Sequence, residues 1–160
     1  MATIPLIDMN IREHPITTIV LESVGWITKT AAVEHEAGWL PGELFWGHIV
    51  DYSNKRLPIA VLREKDVIGK TVHDAYDENE ALLIAFMQPG DQVALRLKDG
   101  TSVENGDMLV PTFPGEVVKY DVSGSGTTDN DAAIVGMAMS DLDLTGDNEG
   151  NINLLPVLVM

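Results

Sequence analysis

The sequence predicts an all-β protein: a small antiparallel β-barrel, β-tulip-like or sandwich domain with an extended N-terminal arm and little helix. Two observations favour this fold class. Short apolar runs recur along the chain, and turns rich in glycine, proline and aspartate separate them. Within residues 93–98, Val93, Leu95 and Leu97 alternate with other side chains, which is the period of a half-buried strand. About nine to eleven strands are expected in all.

Composition limits the classes of function. The chain has 160 residues, of which 45% are hydrophobic and 6% aromatic, so one domain with a largely aliphatic core is expected. It has no cysteine, which excludes disulfides and thiolate sites and suits a reducing compartment. The 25 acidic and 10 basic residues give a net charge of −15, which argues against direct binding to nucleic acid or anionic membranes.

The chain also lacks the segments that would place it in a membrane or a secretory pathway. No apolar run reaches the roughly 18–20 residues that cross a bilayer. The first residues do not combine a basic stretch with an apolar one, as a signal peptide does. We therefore expect a soluble protein that is made in the cytoplasm.

Residues 1–30 are predicted to be an extended arm or strand, followed by a β-rich domain over residues 31–160. Prolines discourage a helix here, and the β-branched run 16–20 favours a strand. The segment is either a first strand on its own domain or an arm that docks on a neighbouring subunit. The candidate contact residues of such an arm are apolar, namely Ile4, Pro5, Leu6, Ile16 and Ile19.

Residues 31–62 combine turns with aromatic side chains. The alternation from Leu44 to Ile49 predicts a strand, and the apolar run 57–62 predicts a buried one. Trp39, Phe45 and Trp46 either cap an open end of the β-core or form an interface platform.

A loop with at most one helical turn is predicted over residues 64–80, and a strongly buried strand over 81–87. The following stretch, residues 88–120, contains glycine turns that punctuate short strands. The predicted turn residues are Gly90, Asp91, Gly100, Gly106, Asp107 and Gly115.

The last third of the chain continues the pattern. Residues 123–131 are predicted to be a mobile loop or hairpin tip, and residues 132–139 a core strand in which Gly136 marks a bulge or a close backbone approach. Residues 153–160 predict a final strand, which Pro156 would place at an edge or a bulge.

One acidic segment has a metal-like spacing. Asp141, Asp143 and Asp147 alternate as at the start of a calcium loop, but Ile152 stands where that loop needs a bidentate glutamate. A solvated acidic turn is therefore the preferred interpretation, and no metal site is predicted. The four histidines are scattered, and no serine lies in a nucleophile elbow. We therefore expect no cofactor and no enzymatic activity.

Two carrier-like features suggest an alternative. The two Gly-Asp turns resemble those of biotinyl and lipoyl carrier domains, which present a modifiable lysine at a hairpin tip. Lys98 and Lys119 are the available lysines, and neither has the flanking residues of those domains.

An ordered series of short motifs resembles the head-decoration, or capsid cement, proteins of tailed bacteriophages. The series covers roughly residues 31–160, and its members are turns and strand residues. They are Gly69-Lys70-Thr71-Val72, Asp74-Ala75-Tyr76, Pro89 to Leu97 with Gly90-Asp91, Thr101 to Val110 with Gly106-Asp107, Gly115 to Lys119, and Ala133 to Ala138. The N-terminal segment and the acidic segment 141–150 depart from the family pattern.

The resemblance implies a structural virion protein on the outer surface of the capsid. Such proteins bridge subunits of the major capsid protein, often as homotrimers, and stabilise the expanded shell. A shell-forming capsid subunit is a further alternative, although the chain is short for that role.

Overall fold

The computed structural model describes residues 16–21, 27–31, 35–49, 57–65, 68–121, 134–146 and 153–160. Within these residues the chain is mainly β, as predicted, with eleven strands and one four-residue 3₁₀ turn, Phe45–His48. The strands are β1 (Ile16–Leu21), β2 (Ile27–Ala31), β3 (Ala60–Leu62), β4 (Leu82–Phe86), β5 (Gln92–Arg96), β6 (Ser102–Val103), β7 (Met108–Pro111), β8 (Val117–Lys119), β9 (Gly136–Ala138), β10 (Leu142–Asp143) and β11 (Leu154–Val159).

The chain divides into two compact units, each made from two segments. Unit 1 comprises Met1–Pro41 and Ala60–Met87, and unit 2 comprises Gly42–Ile59 and Gln88–Met160. These units differ from the predicted division into residues 1–30 and 31–160. Strand β2, which lies at that predicted boundary, pairs with β4 and so joins the first segment of unit 1 to the second. Across the described residues, no helix is long and apolar enough to span a membrane.

Unit 1 contains a four-stranded antiparallel sheet in the order β1-β2-β4-β3. The central strand β4 comes from the apolar run 81–87, and its side chains Leu82, Ile84 and Ala85 are buried. Strand β3 is shorter than the predicted run 57–62 and keeps only its last three residues. Strand β1 pairs with β2 alone, so residues 16–21 form an edge of the unit's own sheet. Ile4, Pro5 and Leu6 lie outside the described residues.

Unit 2 contains a five-stranded antiparallel sheet in the order β5-β11-β9-β7-β8, and a separate pair of β10 with β6. Its core is formed by fully buried aliphatic side chains, among them Leu95, Leu109, Leu155 and Val157. The predicted all-β class is confirmed, and the described sheets are open and antiparallel, with none closed into a barrel.

Tight turns occur at Gly90, Gly100 and Gly106, where glycine–aspartate pairs predict them. Gly90 and Gly106 both have φ of 95°, a conformation that strains other residues. The neighbouring aspartates hold the turns closed, because the Asp91 carboxylate accepts the Gln88 N–H and the Asp107 carboxylate accepts the Glu104 N–H.

The strand predicted over residues 44–49 is wrong, because residues 45–48 form the 3₁₀ turn. In a strand, Phe45 and Trp46 would point to opposite faces, whereas the helical turn lets both be buried. Gly47 fixes the turn in place, since a Cβ there would lie 2.6 Å from the Cα of Gly115.

The placement of Pro156 also differs from the prediction. Strand β11 lies between β5 and β9, so Pro156 is neither at an edge of the sheet nor at a bulge. Its carbonyl accepts the Met139 N–H, so this side of Pro156 faces β9 at the point where that strand has ended. The N–H that proline lacks would point to the same side, towards Met139, so the β9–β11 ladder ends at this pair. Gly136 makes the close approach that was predicted, because a Cβ there would lie 2.4 Å from the Leu158 carbonyl oxygen.

Candidate interaction surface

The outer face of the five-stranded sheet in unit 2 carries apolar side chains. Register fixes which residues share this face: Leu158 of β11 is paired with Gln92 of β5 and with Met137 of β9, and Met137 is paired with Met108 of β7. Directly paired residues point to the same side of a sheet. These four side chains therefore form one row across four strands.

A second row lies beside the first. Pro156 is paired with Ala94, and Met139 donates its N–H to the Pro156 carbonyl just after β9 ends. Ala94 and Pro156 are exposed, and 37% of the Met139 surface is exposed. We call the set Met108, Met137, Met139, Pro156 and Leu158 the methionine face.

The strand β11 shows that this face is distinct from the core. Leu155, Val157 and Val159 point inwards and are buried, whereas Pro156 is exposed and Leu158 is half-buried. The outer positions are apolar as well, although a strand on a solvated sheet usually carries polar residues there. A contiguous apolar surface of this kind marks a site of interaction.

An acidic groove of about 650 Å³ adjoins the methionine face. Four carboxylates and one ammonium group line it, together with Ser102, Val103 and Leu142; the charged residues are Glu104, Asp107, Asp141, Asp143 and Lys119. The groove meets the face at the end of β9, because Asp141 lies two residues after Met139. Asp107 points to the other side of β7 from Met108, since it bonds to Lys119, whose strand partner Leu109 is buried.

Hydrogen bonds lower the pKa of two of the groove carboxylates, Asp107 and Asp143. The Glu104 backbone N–H and then the Lys119 ammonium group, 2.9 Å away, lower the pKa of Asp107. The Thr145 hydroxyl and backbone N–H lower the pKa of Asp143. Asp141 accepts the Asn105 N–H at 2.7 Å. The groove is therefore negative at neutral pH.

Two of the calcium-like aspartates, Asp141 and Asp143, are exposed, and their hydrogen bonds are made within the protein. Asp143 accepts both Thr145 donors and Asp141 accepts Asn105, while Asp147 lies outside the described residues. Among the residues that the structure describes, no three acidic or histidine side chains are grouped so that they could hold a metal ion. The solvated acidic turn remains our prediction for this segment.

The predicted aromatic anchors belong to different units, Trp39 to unit 1 and Phe45 and Trp46 to unit 2. Phe45 is fully buried in unit 2, and Trp46 is 8% exposed, with ring centroids 5.1 Å apart. In unit 1, Trp39 is half-buried and stacks on His35 at 4.7 Å. Phe45 and Trp46 therefore pack mainly within the core of unit 2. Phe113, in the turn between β7 and β8, is 78% exposed, the highest value for a large apolar side chain among the described residues.

A buried polar cluster in unit 2 was not predicted. The alternation over residues 93–98 places Arg96 with the outward side chains, but it is buried and donates to the Asn153 side chain at 2.6 Å. At the 3₁₀ turn, the Glu43 carboxylate lies 2.8 Å from Nε2 of His48, and both side chains are buried. Burial and the charge of Glu43 raise the pKa of Glu116. Because Arg96 bonds to Asn153 and Glu43 bonds to His48 within the chain, we interpret these groups as structural.

The lysines of the carrier alternative differ in position. Lys98 is exposed and directly precedes the turn at Gly100, whereas Lys119 lies within β8 and is ion-paired with Asp107. His35 has backbone carbonyls at both ring nitrogens, Glu36 at 2.7 Å and Glu80 at 2.9 Å, as a satisfied structural histidine does.

The methionine face was missed because the apolar runs 135–139 and 154–160 have no polar alternation. Such a run is equally typical of a strand covered on both faces. A usable signal was the repeat of methionine at positions 137 and 139.

Comparisons with known proteins give no relative: no protein-family model, curated protein or solved structure matches the chain.

Proposed function

We propose that this chain is a head-decoration protein of a tailed bacteriophage. It binds the outer surface of the capsid and bridges subunits of the major capsid protein, which stabilises the shell. The observation that carries the proposal is the methionine face, an apolar surface left open on a folded all-β unit.

The sequence resemblance supports the same function. Its motifs fall on tight turns at Gly90 and Gly106 and on the strands that follow them, β5 and β7. The members Gly115 to Lys119 and Gly136 to Ala138 fall on β8 and β9, which belong to the same sheet. These motifs thus lie on four of the five strands of the sheet, and two of those strands, β7 and β9, carry residues of the methionine face.

The energetics of a cap are consistent with such a surface. A protein that binds only the assembled shell stabilises it by mass action, without any catalytic group. Binding as a homotrimer, which we propose from the resemblance, would strengthen weak individual contacts through multivalency. The acidic surface fits a position on the outside of the virion, away from the packaged genome.

The test is sedimentation with capsids. Purified protein is mixed with emptied, expanded heads from which the native decoration has been removed, and the pellet is analysed. We expect co-sedimentation and a higher rupture temperature of the heads. Protein that never sediments with heads contradicts the proposal.

The N-terminal segment offers a second measurement. A variant lacking residues 3–24 is expected to bind heads more weakly, because this segment contains the apolar candidates Ile4, Leu6 and Ile16. Unchanged binding by a folded variant would remove the segment from the proposed interface.

Two outcomes would favour the alternatives instead. A mass increase on Lys98 or Lys119 in protein from native cells supports a carrier domain. Assembly of the purified chain into closed particles by itself supports a shell-forming subunit.

A further inference from the structure

We infer that the methionine face and the acidic groove together form one docking surface, and that its occupant is a partner segment carrying apolar side chains followed by lysine or arginine. The inference rests on the proposed function for the identity of the partner, a shell protein. Its chemistry rests on unit 2 alone.

The apolar part of the surface is built to accept varied side chains. Three of its five members are methionines, on the neighbouring strands β7 and β9 and just after β9. Methionine is flexible and polarisable, so it adapts to a partner surface better than branched side chains do. Burying the exposed Met139 and Pro156 would give the apolar part of the binding free energy.

The charged part of the surface determines the sign of the partner. Four carboxylates line the groove beside one lysine, and that lysine is already paired with Asp107 at 2.9 Å. Asp141 and Asp143 are exposed, so basic side chains can reach them. Charge complementarity therefore favours a basic segment and disfavours a second copy of this chain, which carries the same net charge of −15.

The geometry links the two parts into a continuous path. Met139, at the end of β9, and the groove residue Asp141 are two residues apart. A bound segment that places apolar residues over Met139 thus meets carboxylates within the next few residues.

The first experiment compares charge variants at two exposed apolar positions. Met139→Lys and Met139→Glu change the proposed surface, while Ile68→Lys and Ile68→Glu make the same charge changes at a position in unit 1 that is 64% exposed. Affinity for the expanded heads is measured for all four. We expect about a tenfold loss or more for Met139→Lys, a smaller loss for Met139→Glu, and wild-type affinity for both Ile68 variants.

The order of the two Met139 variants tests the partner's charge. A basic partner repels the introduced lysine and tolerates the glutamate. Equal losses, or a larger loss for glutamate, would show that the occupant is not basic. If the Met139 variants bind as tightly as the Ile68 variants, the methionine face is not the docking surface, although the proposed function stands.

A second experiment needs no capsid. Wild-type protein is titrated with a fluorescent peptide that alternates leucine and lysine, with a leucine–glutamate peptide as its control. We expect binding of the lysine peptide alone, weakened several-fold by Met139→Lys and unchanged by Ile68→Lys, which has the same net charge. Equal weakening by both variants contradicts the inference even if the chain never binds heads.

A third readout avoids substitution and therefore does not depend on how a variant folds. Hydrogen peroxide oxidises accessible methionine to the sulfoxide. In the bound complex we expect Met139 to be oxidised several-fold more slowly than in the free protein. If Met139 is oxidised as fast in protein that is fully bound to heads as in free protein, the contact lies elsewhere.

Discussion

The loop segment of unit 1 and the sheet of unit 2 use their exposed surface in opposite ways. In unit 1, Glu80 accepts hydrogen bonds from Lys65 at 2.8 Å and from Lys70 at 2.6 Å. In unit 2, Met139 and Pro156 lie on the outside of the sheet and remain exposed. Polar groups that find partners within the chain stabilise the fold, whereas a contiguous row of apolar side chains on an outer face indicates a partner outside it.

The two faces of β11 give the largest expected effect. Leu155→Ala removes a fully buried side chain and should lower the free energy of unfolding by about 2–5 kcal/mol through lost burial and a cavity. Leu158→Ala, three residues on and half-buried on the methionine face, should cost about 1 kcal/mol. Urea unfolding of both variants measures the difference. Equal losses would mean that the methionine face is a second core rather than an outer surface.

The hydroxyl of Tyr76 gives the next largest effect, in unit 1. It donates to the Arg63 carbonyl and accepts the Leu83 N–H at 3.1 Å. Tyr76→Phe leaves both backbone groups without this partner and should cost about 1–3 kcal/mol at pH 7. The measurement is the free energy of unfolding, and a loss below that range would mean that water replaces the hydroxyl.

The same residue predicts a loss of stability at high pH. Burial raises the pKa of Tyr76 from 10.0 to about 12. The folded state therefore keeps a proton that the unfolded state has released, so stability is complete below pH 10 and falls as the pH rises towards 12. The loss should reach about 2–3 kcal/mol in wild type and be absent in Tyr76→Phe. Parallel curves for the two proteins would contradict the assignment.

Glu80 gives a smaller effect with the opposite dependence on pH. Desolvation opposes its ionisation, but the hydrogen bonds from Lys65 and Lys70 outweigh it and lower the pKa of Glu80 from 4.5 to about 2. The folded state holds its proton less tightly, so this contribution is present above pH 4.5 and is lost as the pH falls through about 2.

Glu80→Gln measures that contribution. At neutral pH it should lower stability by about 1 kcal/mol, a value reduced for solvent screening, and the difference from wild type should vanish towards pH 2. Glu78→Gln, at an exposed neighbour, is the matched control and should leave the curve unchanged. A pH-independent deficit in Glu80→Gln would point to lost packing instead of lost charge.

The sequence predicted the features of the fold that depend on local chemistry. The turns at Gly90 and Gly106 need a positive φ, which glycine allows, and the strands beside them follow from apolar runs. Both features therefore depend on a few neighbouring residues. The 3₁₀ turn at Phe45–His48 was not predictable in this way, because its conformation depends on the contact of Gly47 with Gly115, far along the chain.

The candidate surface was less predictable for the same reason. The methionine face exists only because β11 enters the sheet between β5 and β9, which brings Leu158 beside Met137. Strand order depends on long-range pairing, and no local pattern encodes it. Arg96 is a second case in which the local pattern fails. Period-two alternation predicts an exposed side chain, but Arg96 is buried and donates a hydrogen bond to Asn153, which is distant in sequence.

The smallest expected effect concerns the stability of the Met139 variants. Because Met139 is 37% exposed and lies just beyond the end of β9, Met139→Lys should change the free energy of unfolding by less than about 0.5 kcal/mol. Urea unfolding of this variant beside Ile68→Lys measures it. If replacing Met139 changes stability little but weakens binding, the side chain serves contact with a partner and not the fold. A large loss of stability in Met139→Lys would instead assign this side chain to the core and remove it from the docking surface.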